Sequence, residues 1–185
     1  LRRRPLMELR KNFGMLFQGA ALFDSMTICE NIGLILKEHN DWPEERIRAR
    51  ACECLELVGL VGTEDKLPSA LSGGMKKRAG LARAIVMEPA YILYDEPTTG
   101  LDPQARRLLW EPLRALHARG LTLILTTHYM EEAQELSDRV GIIDHGELIA
   151  LGTREDVDRL RSSADLEVES VGLRTVKQLQ EHVYL

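Results

Sequence analysis

The sequence predicts an α/β fold with a mostly parallel sheet, on three observations. Short apolar runs alternate with longer stretches of helical periodicity, the pattern of strand–helix–strand units. Two of those runs, 91–94 and 121–126, read as strands buried inside a sheet. The chain of 185 residues is 44% hydrophobic and 29% charged, which suits one ordinary globular domain.

The elements follow in order. Met15-Leu16-Phe17 is a short apolar run that ends in a polar turn at Gln18-Gly19. Residues 27–39 form the first expected helix, with Thr27 as N-cap and Glu30 three residues on, a capping-box pattern. Residues 44–58 form the second, with Ile47, Ala51, Cys54, Leu55 and Val58 on one face, Pro43 before it, and Gly59 and Gly62 as stops. Ser72 caps a third helix running to about Met87, before Pro89. The strand 91–94 ends at Asp95-Glu96-Pro97, a helix spans 103–119 and stops at Gly120, and the strand 121–126 leads to a short helix at 130–136. Residues 140–144 and 147–150, joined through His145-Gly146, read as a hairpin. Beyond Thr153 the pattern weakens: 155–160 is a candidate helix, and 165–185 a small further element or tail.

Charge and composition exclude several classes. The net charge is −5 and the pI about 5.6, which argues against a free-standing nucleic-acid binder. No apolar run approaches the ~20 residues that span a bilayer. The basic start, Leu1-Arg2-Arg3-Arg4-Pro5, lacks the apolar stretch of a signal peptide. Cys29, Cys52 and Cys54 form neither a zinc nor a disulfide pattern, so a reducing cytoplasm is expected. The first residue is Leu, which suggests a fragment.

Four places could carry chemistry. Leu71-Ser72-Gly73-Gly74-Met75 opens a helix, where unpaired N–H groups and the helix dipole favour an anion such as phosphate, although an ordinary N-cap has the same composition. The basic residues after it, Lys76, Lys77 and Arg78, read as a solvated face. Asp95 and Glu96 stand at the carboxyl end of a strand, where open α/β sheets bind ligands. One acid can hold magnesium through water while its neighbour polarises an attacking water. The same pair also describes an acidic turn closed by Pro97. His128 and Gln18, each just past an apolar run, can contact a phosphate and a metal-bound water; alone, each is an ordinary loop residue.

Their order decides the matter. Gln18, then 71–75, then Tyr91-Ile92-Leu93-Tyr94-Asp95-Glu96-Pro97, then Gly100-Leu101-Asp102, then His128 resembles the ATP-binding cassette ATPases of transporters over about residues 12–153. Gln18 matches the family's Q-loop, and 71–75 its signature motif, with Met75 where glutamine is commonest. Asp95 matches the Walker B aspartate, Glu96 the catalytic glutamate, Asp102 the D-loop and His128 the switch histidine. The family's Walker A loop, GxxxxGK[ST], has no counterpart here, and neither does its adenine-stacking aromatic residue.

The resemblance implies a P-loop NTPase-like fold with a helical subdomain. It implies a partial cassette at 1–153 and a C-terminal extension at 154–185, with the chain as the C-terminal part of a longer ATPase. Without Walker A, the chain by itself is expected to be inactive. In the family two cassettes, commonly a homodimer, sandwich two ATP molecules. Ser72, Gly73 and Gly74 would then touch the γ-phosphate held by the partner, and Asp102 would act across the interface. Asp95 and Gln18 would attend Mg2+, Glu96 would be the base, and His128 would steady the γ-phosphate. Membrane contact would be indirect, on the cytoplasmic face, through a transmembrane permease docking near 19–39.

For the cargo, residues 17–27 and 71–78 look most like lipid transporters of the Mce/Mla type. Residues 126–133 and 144–153 resemble exporters of drugs, polysaccharides or nodulation factors. Two other classes stay open: a non-catalytic fragment lending its signature motif to a partner, and a soluble cassette acting on ribosomes or DNA. The latter lacks the expected tandem cassettes, basic linker or coiled-coil insertion.

Overall fold

The computed structural model describes residues 8–153, 155–156 and the backbone of 172–176. Its six strands are β1 (Phe13–Leu16), β2 (Tyr91–Asp95), β3 (Thr122–Thr127), β4 (Arg139–Asp144), β5 (Glu147–Thr153) and β6 (Gly172–Val176). They form one sheet in the order β1-β2-β3-β6-β4-β5. Among the described residues, the longer helices are α1 (Ile28–His39), α2 (Glu44–Leu57), α3 (Gly73–Ile85), α4 (Pro103–Ala118) and α5 (Met130–Leu136).

The expected parallel sheet is realised in β1, β2 and β3, which run side by side in one direction. The other half is antiparallel. β4 and β5 are joined by only His145 and Gly146, both at positive φ, the two-residue turn whose twist suits a hairpin. β6 lies antiparallel to both β3 and β4. Of the two elements expected past Thr153, the helix at 155–160 lies outside the described residues beyond 156. The element at 165–185 contributes β6 and otherwise lies outside them.

α1 opens with the capping box that its sequence predicts. The Thr27 side chain accepts from the Glu30 N–H at 3.2 Å, and the Glu30 carboxylate accepts from the Thr27 N–H at 2.6 Å. Asn31 is fully buried yet satisfied: it accepts from the Phe23 N–H and donates to the carbonyls of Phe23, Met26 and Thr27, fixing the loop before the helix. α2 packs the predicted face of Ile47, Ala51, Cys54 and Leu55 into the core. The three cysteines are free, and burial pushes the Cys54 thiol up to about 11, so it behaves as a small apolar side chain. α3 stops at Ile85 rather than Met87, and Glu88 turns the chain with a positive φ. α4 runs through Pro112 without interruption. Pro112 leaves one helical carbonyl without its N–H, and burial of Leu109, Trp110, Leu113 and Leu116 on the core side offsets that loss.

α3 lies directly on β1. A Cβ on Gly14 would stand 2.4 Å from the Ala84 carbonyl oxygen, and one on Gly80 would stand 2.5 Å from Leu16 Cδ1. Farther along, α3 reaches the loop after β1: Arg83 donates to the carbonyls of Ala21 at 2.6 Å and Ala20 at 2.8 Å. Both alanines have positive φ, a conformation that these two bonds help to hold. Gly14→Ala should therefore force strand and helix apart and destabilise the protein by about 1–3 kcal/mol. A denaturant midpoint that stays where it was would show that the contact gives way without cost.

Candidate functional site

The three parallel strands bring the first group of residues together. Register pairs Leu16 with Tyr94 and Asp95 with Thr126, so the carboxyl ends of β1, β2 and β3 are level. Just beyond those ends stand Gln18, Glu96 and His128, with Asp95 as the last residue of β2. The Gln18 amide donates to Glu96 Oε2 at 3.3 Å, and His128 Nδ1 lies 3.6 Å from Glu96 Oε1. Residues 78 and 110 positions apart in the chain from Gln18 thus share one corner of the sheet.

Thr126 orders both acids from the neighbouring strand. Its hydroxyl donates to Asp95 Oδ1 at 2.6 Å and accepts from the Glu96 N–H at 3.1 Å, using both capacities of one oxygen. Glu96 itself has φ +44°, which turns the chain sharply out of β2 and parts its side chain from that of Asp95. The Thr99 hydroxyl donates to Glu96 Oε2 at 2.9 Å. Glu96 therefore accepts from two donors on one oxygen and faces His128 with the other.

Among the described residues no cluster of three or more His, Cys, Asp or Glu could hold a metal alone. Asp95 and the Gln18 carbonyl nonetheless suit Mg2+, which binds through one or two protein oxygens plus the phosphates and water that come with it.

The second group sits at two adjacent helix starts. Ser72 caps α3, accepting from the Met75 N–H at 3.3 Å, and Asp102 caps α4, accepting from the Ala105 N–H at 2.8 Å. A Cβ on Gly74 would lie 3.3 Å from Ala105 Cβ, whereas one on Gly73 would meet nothing nearer than Leu101 Cδ2 at 3.9 Å. Gly73 is exposed, and a Cβ there would make only ordinary van der Waals contact, at a helix start of the kind that attracts an anion. Asp102 is exposed and, within this chain, does the work of a cap.

The two groups are joined by a residue that the sequence places on a solvated face. Lys77 is 8% exposed, and its ammonium donates to the Thr99 carbonyl at 2.7 Å and to the Glu96 carbonyl at 3.4 Å. Burial lowers its pKa, and the charges of Glu132 and Glu96 oppose that shift. Arg78 is likewise no free surface charge: it donates to the carbonyls of Val58 and Gly59 and closes the end of α2. Lys76, between Met75 and Lys77, is half-buried. Arg106, also unmarked in the sequence, stacks 3.9 Å over the Tyr129 ring, which in turn packs on His128 with ring centroids 4.1 Å apart. These residues lack a motif of their own; the signal for Lys77 is its helical phase, on the same face as the buried Leu81 and Ala84.

A family model described as "ABC transporter" matches residues 1–99. The chain is 42% identical over 153 residues to the probable ribonucleotide transport ATP-binding protein mkl of Mycobacterium leprae, covering 82% of this chain and 44% of that protein. It is 42% identical over 169 residues to the intermembrane phospholipid transport system ATP-binding protein MlaF of Haemophilus influenzae, covering 91% and 63%. It is 44% identical over 144 residues to the Nod factor export ATP-binding protein I of Rhizobium sp., covering 78% and 47%. The chain thus spans about half the length of the curated relatives it matches. Among solved structures, the dimeric ATP-binding cassette MJ0796 bound to ADP and Pi superposes with a TM-score of 0.73 at 30% identity, covering 83% of this chain and 68% of that one.

Proposed function

Since the chain belongs to the ABC transporter family, we propose that it carries part of the ATP-hydrolysing machinery of a membrane transporter. The observation that supports this reading most is the meeting of Gln18, Asp95, Glu96 and His128 at the level ends of three parallel strands. Glu96 takes the proton of the attacking water, with its carboxylate aimed by Thr99 and Gln18. His128, 3.6 Å from Glu96 Oε1, would contact the γ-phosphate. Asp95 and Gln18 hold Mg2+, which supplies charge for the phosphates; Thr126 fixes the Asp95 carboxylate in place. Ser72, Gly73 and Gly74 present their helix start to the ATP of a second cassette, and Asp102 lies beside them at the same interface. Residues 1–153 form the cassette portion, and 154–185 follow as an extension.

The partners are a transmembrane permease and a second cassette, in keeping with the dimeric solved relative. The permease provides the attachment at the cytoplasmic face; no helix among the described residues is long and apolar enough to cross a membrane. A cleft of about 390 Å³ between α1, α2 and the end of α3, with Arg46 stacked 3.7 Å over Trp42, lies near the segment 19–39 and suits such a contact. For cargo we favour lipid, on the likeness to the phospholipid protein over 91% of this chain. The likeness to the Nod factor protein supports an exporter as the second reading.

The test is ATP turnover by the full-length protein reconstituted with its permease in vesicles containing labelled phospholipid. Mg-ATP hydrolysis with lipid movement is expected. Hydrolysis that leaves the lipid in place would move the cargo to the exporter class, and no hydrolysis would reduce the chain to a non-catalytic partner.

A further inference from the structure

Beneath the loops that carry Glu96 and His128 lies a buried acid that the mechanism does not use. Glu132, on α5, is 0% exposed. Its Oε1 accepts from Trp110 Nε1 of α4 at 3.1 Å. Around it stand Thr98 (0% exposed) from the loop after β2, Thr127 (2%) from the end of β3, and Tyr94 (3%) from β2. Each comes from a different segment of the site: Thr98 is two residues past Glu96, Thr127 is next to His128, and Tyr94 precedes Asp95. Lys77, which grips the Glu96 and Thr99 carbonyls, and Arg106, which stacks on Tyr129, both contribute positive charge toward Glu132.

Packing alone does not call for an acid here. A leucine would fill the same space without the cost of desolvating a carboxyl, but it would leave Trp110 Nε1 without its acceptor. What a carboxyl adds is two oxygens in one plane, able to reach partners on several segments at once. Only the Trp110 bond has full hydrogen-bond geometry; Glu132 Oε2, Tyr94 Oη and Thr98 Oγ1 are buried without a partner of that quality. Thr98 and Thr127 still lie close enough to hold the carboxyl's pKa down against the upward push of burial. Unpaired polar atoms of this kind are rare in a packed interior and ask for a reason.

We propose that Glu132 is a positioning residue for ATP hydrolysis, a buried hub that is hydrogen-bonded to Trp110, packs beside the buried Thr98 and Thr127, and so holds the Glu96 loop and the His128 loop at a fixed separation. It touches neither nucleotide nor water, and it acts through Thr98, Thr127 and the helix that bears Trp110. The inference rests on the hydrolytic reading above.

The experiment is steady-state ATPase kinetics and thermal melting of the full-length protein with its permease, comparing Glu132→Leu and Glu132→Gln. Leucine keeps the volume and removes the hub. Its melting temperature should fall, because Trp110 Nε1 is left without its acceptor, while kcat measured well below that temperature falls at least about tenfold and KM stays within about twofold, since a misplacement of ~1 Å can cost ~10²-fold in rate. Glutamine keeps an acceptor for Trp110 and offers an amide to Thr98 or Tyr94, so its kcat should remain within about threefold of the wild type. A Glu132→Leu enzyme with normal kcat, or a Glu132→Gln enzyme as slow as the leucine variant, would overturn the proposal. If Glu132→Leu does not fold, Thr98→Val carries the test: an unchanged kcat there also overturns it. A wild type that hydrolyses no ATP would instead remove the hydrolytic reading itself.

Discussion

Glu96→Gln in the full-length protein should lower ATP turnover by about 10²- to 10⁴-fold, the usual contribution of a positioned base, while ATP stays bound. The substitution changes little besides proton affinity. The amide oxygen can still accept from the Thr99 hydroxyl, which lies 2.9 Å from Glu96 Oε2, and the side chain keeps its length. The Lys77 bonds to the backbone of this loop are untouched. A single-turnover assay with labelled ATP separates the outcomes: retained nucleotide without phosphate release is expected, and phosphate release at the normal rate would place the base elsewhere.

The second large effect is expected at the signature helix. Gly73→Asp should lower hydrolysis by about 10²-fold or more, the scale of losing a preorganised anion-binding donor, without weakening the fold. Stability and activity should move in different directions for one reason. The new side chain would meet no clash, because the nearest atom to a Cβ there is Leu101 Cδ2 at 3.9 Å, an ordinary van der Waals contact, and the position is exposed. A carboxylate in the first turn of a helix stabilises it by about 0.3–1 kcal/mol. The same charge repels a phosphate arriving at that helix start. Thermal melting beside an ATPase assay reads both; activity near normal in a protein of unchanged stability would remove Ser72, Gly73 and Gly74 from contact with nucleotide.

Local chemistry made much of this fold legible before any coordinates. Thr27 with Glu30, Ser72 before two glycines, and Asp102 before Pro103 each state a helix start in a few residues, and each start is where the sequence puts it. The short turn at His145-Gly146 did the same for the hairpin. The corner formed by Gln18, Glu96 and His128 could be read only through motif order, since nothing local says that three strand ends are level. Lys77 and Glu132 escaped because their roles are tertiary. A lysine in a basic run looks solvated until a carbonyl 22 residues away meets its ammonium at 2.7 Å. A glutamate in Met130-Glu131-Glu132-Ala133 looks like a helix's acidic first turn until one of the two adjacent acids proves to be fully buried. β6 escaped for a similar reason: its partners β3 and β4 are distant in sequence, and no turn signal announces them.

The two bonds from Arg83 to Ala20 and Ala21 make α3 a lever. The helix has 13 residues, hence a rod about 20 Å long. One end is capped by Ser72. Near the other, a guanidinium grips the turn that immediately follows Gln18-Gly19. A rod of this length bends little, so a displacement of that turn is not absorbed along the way. A displacement of that turn would therefore load the helix that Ser72 caps, and any such linkage would act equally in both directions. One side chain, Arg83, thereby ties the turn after Gln18-Gly19 to the helix that begins at Gly73.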